Sequence, residues 1–332
     1  MTIPLSILDL APIAPGQTAR ESYAASVALA QSAEKYGYER VWYAEHHNMP
    51  TIGSSATSIL IGHVAGQTST IRLGSGGVML PNHSPLVIAE QYGTLAELYP
   101  DRIDLGLGRA PGSDQNTARA MRRDPRASDQ FPQDVMELQA YLRGQSIVPG
   151  VQAVPGAGTN VPLYILGSSL FGAGLAAALG LPYAFASHFA PDLLHEAIAL
   201  YRRDFTPSEQ LAAPYLIIAA NVIAADEKTD AEQQFDETRR TRVRGMLSRG
   251  PATPEYSDDQ IDVFLTTPEG RNIANMMRYS AVGTADEVRA YLQEFAEGTG
   301  ADELILAHQS PFIEGRLRSV ELTAAAMNLV AA

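Results

Sequence analysis

Ile103-Asp104-Leu105-Gly106-Leu107-Gly108-Arg109 alternates bulk with its absence. In a β-strand the period of two sends Ile103, Leu105 and Leu107 to one face and Asp104, Gly106 and Gly108 to the other. Glycine weakens a strand, so a face stripped of side chains implies either a tight strand crossing or another group filling the space. Working towards the N-terminus, Gly74-Ser75-Gly76-Gly77-Val78-Met79 closes the preceding strand, and Glu45-His46-His47 closes the one before it. Helical patterns at 56–67 and 86–98 separate the three, which gives βαβα order and hence a parallel sheet.

The same alternation runs along the whole chain. Apolar period places strands at 3–8, 41–44, 71–75, 103–107, 163–166, 183–187, 216–223 and 303–307. Helices fall at 19–36, 56–67, 86–98, 129–142, 172–179, 192–205, 227–247 and 285–297, with a last one from 316. About eight βα units suffice to close a barrel, so the expected fold is α/β: a (β/α)8 TIM barrel forming one domain over residues 1–332. Polar or Pro/Gly-rich stretches at 110–126, 149–162 and 248–280 are expected as inserted loops at its C-terminal face, where such barrels build their active sites.

Composition narrows the function. The 332 residues are 45% hydrophobic and 18% charged, enough apolar material for a large core. A net charge of −13 repels phosphate backbones and anionic lipid, so neither nucleic acid nor membrane is an expected partner. With no cysteine there is no disulfide, thiolate metal site, iron–sulfur cluster or catalytic thiol, which fits a reducing cytoplasm. Residues 1–15 lack a basic n-region, and Asp9 and prolines interrupt their apolar run, so no signal peptide is expected.

Several residues carry chemistry. Gly76 and Gly77 permit close approach to a ligand plane and backbone geometry closed to other residues, with a simple glycine turn as the alternative. His46, at the C-terminal end of a barrel strand, is placed for proton transfer near neutral pH. His46 and His47 are adjacent and point to opposite faces of any continuing strand, so a shared metal would need Glu45, His63 or His83. None of these stands at a recognised ligand spacing, and no metal is expected. Arg109 after the fourth strand, and Gly167, Ser168 and Ser169 before a helix, supply a guanidinium, hydroxyls and free amides suited to a phosphate monoester. Gly172-Ala173-Gly174-Leu175-Ala176-Ala177 matches the loose dinucleotide pattern, but it begins several residues after its strand, and no acidic residue ends the next one. Together these features suggest a flat anionic cofactor beside a histidine.

At these positions the chain resembles the bacterial luciferase-like family of flavin-dependent oxidoreductases. The densest matches are Trp42-Tyr43-Ala44-Glu45-His46-His47-Asn48-Met49-Pro50, residues 74–85 with Glu90-Gln91, 102–112, 166–169 and 180–189. The resemblance implies FMN in the barrel, with a non-prolyl cis peptide at Gly76–Gly77 behind the ring and contacts from Gly76, Gly77, Val78 and Met79. It implies that Arg109, Gly167, Ser168 and Ser169 hold the phosphate, and that His46 is the active-site histidine. It also implies reduced FMN and O2 acting on a small organic substrate, NAD(P)H used directly or through a flavin reductase, and a homodimer. Gly108 stands where the light-emitting α subunit has a cysteine, so light emission is not implied. The alternatives are a deazaflavin-dependent hydride transfer on the same fold, a flavin-binding protein without turnover, and a metal hydrolase using His46, His47 and His63.

Overall fold

Hydrogen bonding joins the strands into one parallel sheet that returns on itself. In the computed structural model, residues 3–110, 114–124, 126–247 and 256–331 are described. Parts of the loops expected at 110–126 and 248–280, including Gly112, Pro251 and Pro254, lie outside those residues. The strands are β1 (Leu5–Asp9), β2 (Arg40–Tyr43), β3 (Arg72–Met79), β4 (Ile103–Gly108), β5 (Leu163–Gly167), β6 (Tyr183–Phe185), β7 (Leu216–Ala224), β8 (Ser280–Gly283) and β9 (Glu303–His308). From β1 to β7 each pairs with the next; β7 then pairs with β9, and β9 with β1. Eight strands thus close a TIM barrel with helices between them, as the apolar pattern predicted.

β8 is the strand the sequence did not reveal. It runs along the upper half of β7, from Asn221↔Ser280 to Ala224↔Gly283, on the edge whose lower half pairs with β6. Four residues after a proline-rich stretch are too few to establish a period. The stretch at 110–126 also contains a short helix, Gln115–Ala120, because the Asp114 carboxylate accepts from the amides of Asn116 at 2.8 Å and Thr117 at 3.0 Å. Helices Asp258–Leu265 and Pro268–Asn275 sit within 248–280.

β3 is longer than its apolar run. It pairs with β4 through Ser75↔Leu105, slips, and resumes at Val78↔Leu107 and Met79↔Gly108. The Gly76–Gly77 peptide in the slip is cis. Side chains have no room there: a Cβ on Gly76 would lie 2.8 Å from Leu8 Cδ1, and one on Gly77 would lie 2.7 Å from the Gly106 carbonyl oxygen.

Two apolar layers result. Ile103, Leu105 and Leu107 join the large cluster between barrel and helices. A smaller cluster, drawn from the strands and from Ala44 just beyond β2, fills the barrel interior: Leu8, Trp42, Ala44, Tyr164, Ala184, Ile217, Ala219, Ile305 and Ala307. Beneath it, at the N-terminal strand ends, Arg40 donates to Glu303 at 3.0 Å and to Asp104 at 2.7 Å, and Trp42 Nε1 donates to Asp104 at 3.1 Å. Arg72 reaches the other Asp104 oxygen, and the Tyr215 hydroxyl reaches Glu303 at 2.8 Å. Two buried carboxylates therefore balance two guanidiniums, which keeps each charge from being stranded.

This packing revises the bare face of β4. Asp104 belongs to the ion-pair floor, and at Gly106 an added Cβ would lie 2.2 Å from the Ser75 carbonyl oxygen and 2.6 Å from Leu166 Cδ1. Gly106 is thus a tight crossing. Only at Gly108 is the space open, with nothing nearer than 3.8 Å. Among the described residues no helix is long and apolar enough to cross a membrane.

Candidate active site

The C-terminal ends of β2 to β7 gather most of the residues singled out above. After β2 the backbone stays in register for two more residues: the Ala44 amide donates to Asp9, and the Glu45 amide to Gly77, at 3.3 Å each. Glu45 is 2% exposed on its side chain. One carboxylate oxygen accepts from Nε2 of His47 at 2.7 Å and of His83 at 2.8 Å, and the other from the Met79 amide at 3.0 Å. Burial works to raise the Glu45 pKa, but the hydrogen bonds from His47, His83 and Met79 outweigh it and hold the carboxyl below its ordinary value. The hydrogen bond to Glu45 lifts His47 above its ordinary value, against its partial burial.

Glu45, His47 and His83 form the one group among the described residues with metal-like proximity, their donor atoms lying within 4.8 Å of one another. Both imidazoles direct Nε2 at the same carboxylate oxygen, so the three satisfy each other. Sequence spacing missed the cluster because His83 arrives from the end of β3. His63 sits on the outer helix Thr57–Ala65 and is no member of it.

His46 takes a different direction from His47. It is half-buried, with Nδ1 shielded from solvent. Its charge is felt by His188, which follows β6. His188 is buried; its carbonyl accepts from Asn221 of β7 at 2.8 Å, and its ring meets Phe189 edge-on at 5.0 Å. Burial, then the charges of Arg242 and His46, push His188 down to about 3, so it is a neutral imidazole at pH 7. His188 shares with His46 a position just beyond a barrel strand, and it lies within the 180–189 stretch that carries the resemblance. Arg242, in the arginine-rich helix Lys228–Leu247, carried no such signal.

Arg109 is exposed at the end of β4, with its guanidinium 4.1 Å from the ring centroid of Phe171. Phe171 belongs to helix Leu170–Leu179, which begins directly after the half-buried Gly167, Ser168 and Ser169. Ser169 is the N-cap residue, and its side chain makes no capping hydrogen bond. The fold therefore brings a guanidinium, two hydroxyls and the amides of a helix N-terminus to one corner of the barrel mouth. Gly108, where space is open, adjoins that corner; on its β3 side Val78 pairs with Leu107 and Met79 with Gly108, directly after the slip at Gly76 and Gly77.

The family model for luciferase-like monooxygenases matches residues 3–303. A luciferase-like monooxygenase of Escherichia coli (strain K12) is 51% identical, over 97% of this chain and 96% of its own. N-acetyl-S-alkylcysteine monooxygenase of Bacillus subtilis (strain 168) is 33% identical over 86% of each. The crystal structure of apo-MsnO8 superposes with a TM-score of 0.88 at 36% identity, covering 99% of both chains. The fold alone is shared, at 16% identity, with an FMN-bound type II Baeyer-Villiger monooxygenase from the CAM plasmid of Pseudomonas putida (TM-score 0.73, 98% of this chain and 97% of that one). It is likewise shared with an F420-dependent secondary alcohol dehydrogenase (TM-score 0.72, 98% and 99%). The chain belongs to the luciferase-like monooxygenase family of oxidoreductases.

Proposed function

We propose that the protein is an FMN-dependent monooxygenase that uses reduced flavin and O2 to oxidise a small organic substrate. The observation that carries this reading is the corner formed by Arg109 on Phe171 beside Gly167, Ser168 and Ser169, next to the open space at Gly108. A guanidinium, hydroxyls and helix N-terminal amides suit a compact phosphate monoester. Such a flavin supplies two electrons, so that one atom of O2 enters the substrate and the other leaves as water.

The chain's own residues would do the rest. Arg109, Ser168 and Ser169 anchor the phosphate, while Gly76, Gly77, Val78 and Met79 present backbone to the ring. The Glu45 clamp on His47 and His83 fixes the loop after β2, which sets the orientation of His46. His46 is the group assigned to proton transfer, with His188 kept neutral beside it. The buried floor of the barrel seals the site from water on the opposite side. The similarity to the B. subtilis enzyme makes thioethers bearing a carboxylate the first substrate class to try.

Reduced FMN would come from a separate flavin reductase or from NAD(P)H used directly. Ile59, 75% exposed, and Val87, 43% exposed, lie on helices Thr57–Ala65 and Pro85–Leu98, which a hydrogen bond from Ser58 to Gln91 ties together. That apolar face is the surface proposed for a homodimer, to be checked by light scattering.

The functional test supplies the purified protein with chemically reduced FMN, 18O2 and a panel of N-acetyl-S-alkylcysteines, aldehydes and ketones. Mass spectrometry should find one labelled oxygen in a product. Reduced F420 binding in preference to FMN, with no oxygen consumed, would establish the hydride-transfer alternative. Bound FMN with no product from any substrate would favour a non-catalytic flavin protein.

A further inference from the structure

Helix Lys228–Leu247 carries four arginines within six residues, and three of them have carboxylate partners. Arg239 pairs with Asp236 at 3.2 Å, Arg240 with both oxygens of Asp262 at 2.8 and 2.7 Å, and Arg244 with Asp258. Arg242 differs. It has no ion pair or hydrogen bond among the described residues, and its Nη1 is sealed from solvent. It falls at helical spacing on the face that carries the buried Ala231 and carries Thr238, whose hydroxyl donates to the Gln309 carbonyl just beyond β9 at 2.8 Å, so that face turns towards the barrel mouth. From there Gln309 donates to Asn221 at 3.1 Å and Asn221 to the His188 carbonyl at 2.8 Å, so this helix face and His188 share one side of the barrel mouth, and the Nδ1 of His188 is buried and without a partner among the described residues.

A guanidinium taken out of water without a counter-ion is destabilising, and this helix shows how readily the sequence supplies one. Among the described residues, the Arg242 Nη1 and the His188 Nδ1 are therefore two buried donors on one side of the mouth that an anion would satisfy. Arginine meets a carboxylate with two parallel N–H donors, and a neutral His188 protonated at Nδ1 adds a third donor. Phe189, 40% exposed against the His188 ring, provides an apolar wall for the rest of such a molecule. With a net charge of −13, the protein needs a local cation to draw an anionic substrate to this mouth.

We propose that Arg242 and His188 form the substrate-recognition point of the barrel mouth and bind the carboxylate of an organic acid whose apolar part lies along Phe189. The inference rests on the reading of this mouth as an active site. The anion could instead be the phosphate of the flavin, so the test separates the two.

Calorimetry would measure paired probes, N-acetyl-S-benzylcysteine against its amide and octanoate against octanamide, on the protein with and without FMN. FMN and riboflavin would be titrated in parallel. The wild type should bind at least one carboxylate tenfold or more tighter than its amide. Arg242→Met should abolish that preference and Arg242→Lys keep part of it, both with an unchanged ratio of FMN to riboflavin affinity. Absence of any carboxylate preference in the wild type, or its survival in Arg242→Met, overturns the proposal. So does a loss of FMN affinity relative to riboflavin in Arg242→Met, which would assign the guanidinium to the phosphate. If the wild type binds no flavin, the functional reading fails separately, while the flavin-free titrations still judge Arg242. Circular dichroism and a cooperative melt verify that each variant is folded.

Discussion

Adding a methyl group to Gly106 or to Gly108, two residues apart on one face of one strand, should have opposite consequences. At Gly106 the new Cβ would lie 2.2 Å from the Ser75 carbonyl oxygen and 2.6 Å from Leu166 Cδ1. The first contact is backbone within the sheet and can yield only if β3 and β4 separate. Overpacking of this kind costs about 1–3 kcal/mol, and a backbone clash belongs at the upper end. An unfolding entropy of about 2.1 cal/mol/K per residue corresponds to roughly 0.7 kcal/mol per degree for this chain, so Gly106→Ala should lower Tm by about 3–4 °C. At Gly108 the nearest atom to the added Cβ is 3.8 Å away. Gly108→Ala removes only freedom of the unfolded chain and should leave Tm unchanged or raise it by about 1 °C. Gly108→Val should keep the stability of the flavin-free protein yet occupy space next to Arg109, weakening FMN at least tenfold, or about 1.4 kcal/mol. Thermal melts with and without FMN, together with a flavin fluorescence titration, measure both effects. Wild-type FMN affinity in Gly108→Val, or equal destabilisation at the two glycines, would refute the assignment of the open space to the cofactor.

Arg109→Ala should weaken FMN by about 1.5 kcal/mol, the lower end for a charge-assisted hydrogen bond because the guanidinium is exposed, and should leave riboflavin affinity unaffected; equal losses for both ligands would remove Arg109 from the phosphate site. His46→Ala should bind FMN normally and lose turnover, and a wild-type rate with the true substrate would end its catalytic assignment. Glu45→Gln should cost stability in a pH-dependent way. The lowered Glu45 pKa gives a contribution present above its ordinary 4.5 and lost as pH falls through the folded value. The raised His47 pKa gives one complete below its ordinary 6.5 and lost as pH rises through the folded value. The Tm gap between wild type and variant should therefore be widest between about pH 4.5 and 6.5; a gap independent of pH would show that the clamp is not ionic.

The eight closing strands were legible because each is an apolar run separated by an amphipathic helix, and period survives in a single sequence. The side of β4 that carries Gly106 and Gly108 was legible for the same reason. Whether each glycine marks a crossing or a vacancy was not, since that depends on Ser75 and Leu166 from neighbouring strands. β8 escaped because four residues carry no period of their own.

From the sequence alone follow the parallel barrel, the crowding of Glu45, His46, Gly76, Gly77 and Arg109 at its C-terminal rim, and the lack of thiol chemistry, because these depend on residue type and order along the chain. The tertiary structure alone decided which imidazole meets which partner: His47 and His83 share the Glu45 carboxylate, while His46 bears on His188. Such pairings join residues up to about 140 positions apart. They are fixed by barrel closure, which places distant strand ends side by side without leaving a mark in the spacing of either.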